Sequence, residues 1–481
     1  MTTIKLDPGA ALLLDALHGA GHAAYAVGGC VRDSLLGLAP HDWDLCTSAR
    51  PEQVMALFGE EKCIPTGLQH GTVTVKQGGR LYETTTFRTE GAYSDGRHPD
   101  AVCFVPDVRE DLARRDFTIN AMAYSAEEGL IDPFGGRDDL AAHLVRAVGE
   151  PERRFEEDAL RILRLYRFAA RFGFAIDPAT GAAARALGPH LDCVSAERIQ
   201  EELLKLLAAP RPGSYLEPAV LAVILPELEP EKQPERFAEL CRTIDRIEPT
   251  TENVPARLAA LLCPLGEAGA RKALRKLKCS NALTDEVTAL VGEGAGSFLL
   301  GHEFELRHPA DALCLERHSH PAGRCPNSNS LFPPQAAVVA VAGHSIARPI
   351  ACGNRVPPQR TVLGETPGTP NTTLTVQAKR LLGRYELPTI QRLTALCSAR
   401  HPEQTGALAA LRAEAEQLTA ENACCRVSQL AVNGRDLMAA GVRPGPGLRQ
   451  VLNALLEAVI TGQTPNEKDA LLAAAAQFSA S

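Results

Sequence analysis

A change of periodicity near residue 150 constrains the fold of this chain more than any other feature. Before it, residues 24–31 and 72–76 are short apolar stretches bounded by glycine, and 81–87 alternates with β-branched residues. All three read as strands. Residues 9–20 and 51–58 carry helical spacing around and between them. From Glu150 onward the apolar residues recur every three to four positions, over 153–171, 196–207 and 236–247. A chain of 481 residues is too long for one ordinary core. The pattern therefore predicts an α+β domain over 1–148, then all-helical units over 149–215, 216–299 and 376–481.

Residues 300–375 break the rule. Ten of the 34 prolines lie between 307 and 372, among Ser, Asn, Thr and Gly, with no sustained period. So long a stretch without pattern predicts a disordered insertion. His308, Cys314, His318, His320 and Cys325 lie in it, but their spacing matches no zinc pattern. Helical periodicity returns at Ala378.

Composition narrows the function classes. A net charge of −8 argues against an open, sequence-blind nucleic-acid binder, though not against a local basic groove. Between Arg109 and Arg171 there are eleven arginines and no lysine, and thirteen acidic residues share the stretch. Arginine is preferred where phosphates are held by a planar fork of donors, but a salt-bridged surface has the same composition. No apolar stretch reaches the ~18–20 residues a membrane span needs, so no membrane partner is expected. The N-terminus lacks a signal-peptide pattern, and the fourteen cysteines form no C-x-x-C pair. A reducing cytoplasm is the expected compartment.

Two clusters carry chemistry. The first, Val27-Gly28-Gly29-Cys30-Val31-Arg32-Asp33, follows a predicted strand. Gly28 and Gly29 let the backbone approach a ligand, the next N–H groups can cradle phosphate, and Arg32 can add charge-assisted bonds. The second is His41-Asp42-Trp43-Asp44-Leu45. On a strand, Asp42 and Asp44 share one face while Trp43 points away. Adjacent carboxylates repel unless a cation lies between them, and magnesium resolves that repulsion. Two ions would orient an attacking hydroxyl and a leaving pyrophosphate. Alone, a Gly-Gly pair is a turn and D-x-D a polar loop; nine residues apart, they point together to nucleotidyl transfer.

GGCVRD followed by HDWDLCT resembles the head domain of class II CCA-adding tRNA nucleotidyltransferases and bacterial poly(A) polymerases. These belong to the polymerase-beta-like nucleotidyltransferase superfamily. Further stretches are similar in the same order: TGLQHGTVTV (66–75), YETTTFR (82–88), RRDFTINAMA (114–123), DPFGG (132–136) and EEDALRILRLYRF (156–168). The resemblance implies a nucleotidyltransferase head followed by helical neck, body and tail. It implies ribonucleotide selection by the 114–120 motif, with Arg115 and Asp116 nearest sugar and phosphates and Asn120 in the same polar run. It further implies a protein template on the helix expected at 153–171, in which Asp158 and Arg161 read the incoming base with Arg164 nearby. The chemistry agrees. Cytosine and adenine present an amine donor beside a ring-nitrogen acceptor, which a carboxylate and a guanidinium match. Guanine and uracil reverse that order and would leave buried groups unpaired.

Glu83 follows on a separate strand as a candidate third carboxylate at the metals, or an exposed strand residue. Segment 88–105 resembles the family's flexible loop. Residues 195–202 resemble its neck motif, and equally a helix capped by Ser195. Arg275, Lys276 and Lys278 look like a basic, RNA-facing side of the body, and 432–438 with Gly445-Pro446 resemble the tail. The expected activity is addition of CCA to tRNA from CTP and ATP. A poly(A) polymerase, an enzyme adding only part of CCA, or a silent RNA-binding protein on the same fold remain the alternatives. The oligomeric state stays open.

Overall fold

A computed structural model describes residues 3–90, 102–295 and 372–478, all within one compact unit. The insertion expected at 300–375 lies outside the described residues apart from 372–375, which already belong to a helix. The centre of the 88–105 loop also lies outside them.

The first part alternates as expected. In chain order it runs α1 (Pro8–Gly19), β1 (Ala24–Val27), α2 (Gly29–Leu35), β2 (Leu45–Thr47), α3 (Pro51–Phe58), β3 (Cys63–Gly67), β4 (Thr72–Gln77) and β5 (Arg80–Thr86). It continues through β6 (Arg88–Glu90), β7 (Val102–Phe104), α4 (Val108–Ala113), β8 (Ala123–Ser125), β9 (Gly129–Ile131) and α5 (Gly136–Ala141). Seven strands form one mixed sheet in the order β3-β4-β5-β2-β1-β8-β9, and β6 pairs with β7 as a separate ribbon. Gly78 and Gly79, both at positive φ, form the two-residue turn that joins β4 to β5. In β1, Ala24 and Ala26 enter the apolar cluster holding Leu13, Leu17 and Trp43. Tyr25 and Val27 enter the cluster holding Cys46, Phe87 and Leu112. Successive side chains of a strand point to opposite faces, so β1 anchors two layers at once.

Beyond residue 150 the described structure is almost wholly helical: α6 (Pro151–Glu157), α7 (Leu160–Phe172), α8 (Pro178–Ala186), α9 (Ala196–Leu207), α10 (Pro218–Ile224), α11 (Pro234–Arg246), α12 (Val254–Leu262), α13 (Gly266–Lys276) and α14 (Asn281–Ala295). After the undescribed stretch come α15 (Thr372–Arg384), α16 (Leu387–Arg400), α17 (Thr405–Ala420), α18 (Gly434–Ala439), α19 (Pro446–Ile460) and α20 (Lys468–Phe478). One apolar cluster runs from Ile4 to Cys425. Leu430, Leu437, Val451, Leu455 and Leu471 belong to a third, smaller one.

Four local expectations are corrected. The strand expected over 24–31 ends at Val27, because Gly28 at φ 77° turns the chain into α2. Asp42 and Asp44 lie just before β2 rather than on it, although Trp43 between them is buried as the alternation requires. The single helix expected over 153–171 is broken: Asp158 is extended at φ −147°, ψ 101°, and its Oδ1 accepts the Leu160 N–H at 3.1 Å. An aspartate that bonds backbone two residues on competes with helix continuation and starts a new helix instead. Ser195 stands at the N-cap of α9 but makes no side-chain capping bond.

Candidate active site

The turn after β1 positions everything else. Gly28 donates its N–H to the Met122 carbonyl at 3.0 Å, and the Val27 N–H reaches the Asp44 carbonyl at 2.9 Å. A Cβ at Gly28 would lie 2.8 Å from Arg115 Nη1, so the backbone there is open only because no side chain is present. Gly29 begins α2. The Arg115 guanidinium thus lies against the glycine turn, braced 3.3 Å from buried Asp111, which also takes two bonds from Arg114.

Three carboxylates gather beside this turn. β2 and β5 run parallel with Leu45 opposite Thr84, so the preceding residues Asp44 and Glu83 come alongside one another. Asp42 is almost fully exposed, with His41 Nδ1 3.6 Å away. Asp44 reaches solvent on one side but is otherwise crowded by protein. That crowding pushes its carboxyl up to about 6, aided by the charges of Glu83 and Asp42 and opposed by Arg115. The donors are all hard oxygens, which suits magnesium. Among the described residues, no group of three or more His, Cys, Asp or Glu side chains is placed to hold a metal ion, so the three carboxylates do not form a closed protein site. Magnesium is commonly held through one or two carboxylates together with substrate phosphates, so the residues fit an ion completed by a bound triphosphate.

Arg32, Asp116 and Asn120 were expected to face a nucleotide, and the structure joins them to one another. Arg164 grips Asp116 Oδ2 through Nε and Nη2 at 2.8 and 2.6 Å, while Oδ1 accepts from Asn120 Nδ2 at 3.0 Å and the Phe117 N–H at 2.8 Å. The Asn120 side-chain Oδ1 in turn accepts from Arg32 Nη1. Arg32 Nε donates to Asp33 at 2.8 Å, and Arg171 reaches the other oxygen of Asp33 at 3.2 Å. Burial alone would raise the Asp116 carboxyl, but Arg164, Asn120 and Arg161 together hold it well below the usual carboxylate range. Arg32 itself is buried against the rings of Phe172 and Phe168, 4.8 and 5.2 Å away. This network braces the glycine turn against α7.

The break between α6 and α7 presents the template candidates. Asp158 and Arg161 are joined through their backbones, the Arg161 N–H donating to the Asp158 carbonyl at 3.0 Å, while their side chains take different partners. Asp158 Oδ2 accepts from Arg198 of α9 at 2.8 Å. Arg161 is buried and donates to Glu157 at 2.8 Å, to the Arg154 carbonyl at 3.2 Å and to the Arg114 carbonyl at 3.0 Å. Beside them opens a cavity of about 420 Å³, with Thr89, Arg114, Phe134, Gly149, Arg154 and Glu157 among its walls.

Comparison with known proteins decides the family. Residues 24–146 match the poly A polymerase head domain. Residues 173–232 match the probable RNA and SrmB-binding site of polymerase A, and 385–475 match the putative domain 2 of tRNA nucleotidyltransferase. The chain is 32% identical to the CCA-adding enzyme of Lactiplantibacillus plantarum over 462 residues, covering 96% of this chain and 93% of that one. This chain belongs to the CCA-adding enzymes. The enzyme of Lactobacillus helveticus is 42% identical over 281 residues, 58% of this chain and 69% of its own length. The crystal structure of the Bacillus stearothermophilus CCA-adding enzyme in complex with CTP superposes with a TM-score of 0.69 at 30% identity, covering 98% of each chain.

The chain is thus a tRNA nucleotidyltransferase with a mixed-sheet head and a largely helical remainder. No helix among the described residues is long and apolar enough to cross a membrane. Arg275, Lys276 and Lys278 are all exposed at and beyond the end of α13. Sequence reasoning missed the partners that hold the site: Asp111 behind Arg115, Glu157 behind Arg161, and Arg198 and Glu202 on α9. Glu202 is buried, with Arg167 Nε 2.6 Å and Arg164 Nη1 3.7 Å from it. The available signal was the four-residue spacing of Arg198 and Glu202, which puts both on one helix face.

Proposed function

We propose that this chain transfers CMP and then AMP from CTP and ATP to the 3′ end of tRNA, in the cytoplasm, without a nucleic-acid template and with release of pyrophosphate. The observation that carries this reading is the convergence of Asp42, Asp44 and Glu83 beside the Gly28 turn and Arg115. Asp42 and Asp44, with Glu83 behind them, would hold magnesium, two ions in the full site. Bound there, magnesium would neutralise phosphate charge and favour the ionised 3′-hydroxyl. The backbone at Gly28 and Gly29 and the Arg115 guanidinium receive the triphosphate. Arg32 and Asn120 hold that turn in place, and Asp116 keeps Arg164 directed towards the template segment. The terminal hydroxyl attacks the α-phosphate in line, and the bond to pyrophosphate breaks. Positioning and charge neutralisation supply most of the rate.

Asp158 supplies the acceptor and Arg161 the donors for the base edge, and Arg164 stands behind them. Arg275, Lys276 and Lys278 contact the RNA backbone. The proposed units are a head at 1–148, a neck at 149–215, a body at 216–299 and a tail at 376–481, with 300–375 inserted between body and tail. The direct test supplies tRNA lacking its 3′ end with each nucleotide singly and together, and sequences the products. Uniform CCA ends support the reading, whereas runs of A or no extension sink it.

The template assignment has its own test. Asp158→Ala removes the acceptor for the amine of C and A and the group that repels the carbonyl of U and G. CTP and ATP should weaken by about 1–3 kcal/mol per lost buried bond, and the preference over UTP and GTP should shrink with them. kcat/KM for all four triphosphates checks this; unchanged ratios among them would remove Asp158 from the base site.

A further inference from the structure

We propose that Arg198 is a specificity-determining positioning residue, holding the Asp158 carboxylate at the angle from which it reads a base. The inference rests on Asp158 being the base acceptor. Asp158 lies in the extended break between α6 and α7, where its backbone leaves helical geometry while its carbonyl accepts the Arg161 N–H at 3.0 Å. Its carboxylate has two anchors among the described residues. The Leu160 N–H holds Oδ1 at 3.1 Å, and Arg198 Nη2 holds Oδ2 at 2.8 Å.

The two anchors do different work. A carboxylate turns readily about its terminal torsion, which is broad and two-fold. With Leu160 alone, Oδ2 would sweep through a wide arc about the fixed oxygen. With both, the carboxylate plane is fixed. Each carboxylate oxygen offers more than one acceptor direction, so Oδ2 can hold the guanidinium and still present a lone pair to an exocyclic amine. Hydrogen bonds weaken steeply when bent. Fixing the plane therefore sharpens the choice between an amine and a carbonyl at that position.

Arg198 is itself held. One helical turn on, Glu202 stands by Arg167 and Arg164 of α7 at 2.6 and 3.7 Å, so α9 is pinned to the template helix by two ionic contacts on one face. Arg198 and Asp158 are only 22% and 16% exposed, which limits the screening of their contact. Arg161 needs no such help, since Glu157 and two backbone carbonyls already fix its guanidinium.

The test uses the full chain, tRNA lacking its 3′ end, and kcat/KM for CTP, ATP, UTP and GTP. Arg198→Ala should lower the values for CTP and ATP by roughly tenfold, the equivalent of one buried hydrogen bond. It should narrow their preference over UTP and GTP by a similar factor. Arg198→Lys should restore part of that preference. Because Arg198 acts through Asp158, the Asp158→Ala/Arg198→Ala double variant should discriminate no worse than Asp158→Ala alone. Changed ratios in Asp158→Ala with wild-type ratios in Arg198→Ala would overturn the Arg198 assignment and leave the base-reading role of Asp158 standing. Unchanged ratios in both would sink that role and the inference with it. An equal loss for all four nucleotides in Arg198→Ala, or additive losses in the double variant, would mark a separate structural role and overturn the proposal.

Discussion

Asp44→Ala should lose nucleotide addition by about a thousandfold or more, the scale expected when a charge-stabilising group is removed from a reacting centre. In metal-free buffer it should be no less stable than the parent at pH 7. The two outcomes have one cause. With its pKa raised to about 6 in the folded chain, above the ordinary aspartate value of about 3.9, Asp44 ionises against crowding protein and the charges of Glu83 and Asp42. A raised acid costs the folded state nothing below about pH 4. Its cost grows between the two pKa values and is complete above the higher one. Replacement by alanine should therefore relieve the fold above pH 6 and make no difference in acid. Adding magnesium and a nucleoside triphosphate should reverse the order, stabilising the parent and leaving Asp44→Ala unmoved. Thermal melts at pH 4 and pH 7, with and without both additions, read all of this. Turnover near that of the parent in magnesium would rule out the assignment, and so would a metal-free variant much less stable than the parent at pH 7.

Arg257→Met should destabilise the folded chain by about 3–5 kcal/mol, because several buried carbonyls lose their donor at about 1–3 kcal/mol each, partly offset by relaxation. Arg257 lies in α12 and is fully buried. Its guanidinium donates to the Leu207 and Ala209 carbonyls at 2.7 and 2.5 Å, to Ile247 at 3.1 and 2.5 Å, and to Pro210 at 3.5 Å. Leu207 ends α9, and Ile247 follows α11. Helix C-termini leave carbonyls without intrahelical partners and carry partial negative charge. One planar cation thus closes two helix ends at once, although burial lowers its pKa against the opposing charge of Asp245. Methionine fills much of the volume and donates nothing. Arg257→Lys keeps the charge but replaces the fork with three donors on a flexible stem, so it should recover only a part. Urea unfolding of the three proteins decides; a loss below about 1 kcal/mol for Arg257→Met would show that water or backbone movement satisfies those carbonyls.

These two residues differ in how much of their role the local sequence carries. Asp44 was legible because carboxylate, glycine turn and strand pattern lie within twenty residues of each other. Nothing in the sequence around Arg257 separates it from a surface arginine on a helix. Its value comes from two helix ends that meet there from residues 207–210 and 247.

Local sequence determined what local physics controls. Apolar spacing placed α1, α3 and α9, and marked where alternation gives way to helices. The alternation around Trp43 placed Asp42 and Asp44 on one side, although the regular strand begins only at Leu45. Tertiary structure decided everything that depends on which distant groups meet. The parallel pairing of β2 with β5 brought Glu83 beside Asp44. Packing turned Arg32, Asn120 and Asp116 towards one another, and the Asp158 carboxylate towards Arg198 of α9. Helical spacing alone carries 153–171 through as one helix, yet an aspartate that bonds its own chain two residues on ends α6 there. Periodicity reports which face a residue occupies. It is silent on the partner across that face, because hydrogen bonds and ion pairs act over a few ångströms while the residues that make them here lie 40 to 88 positions apart.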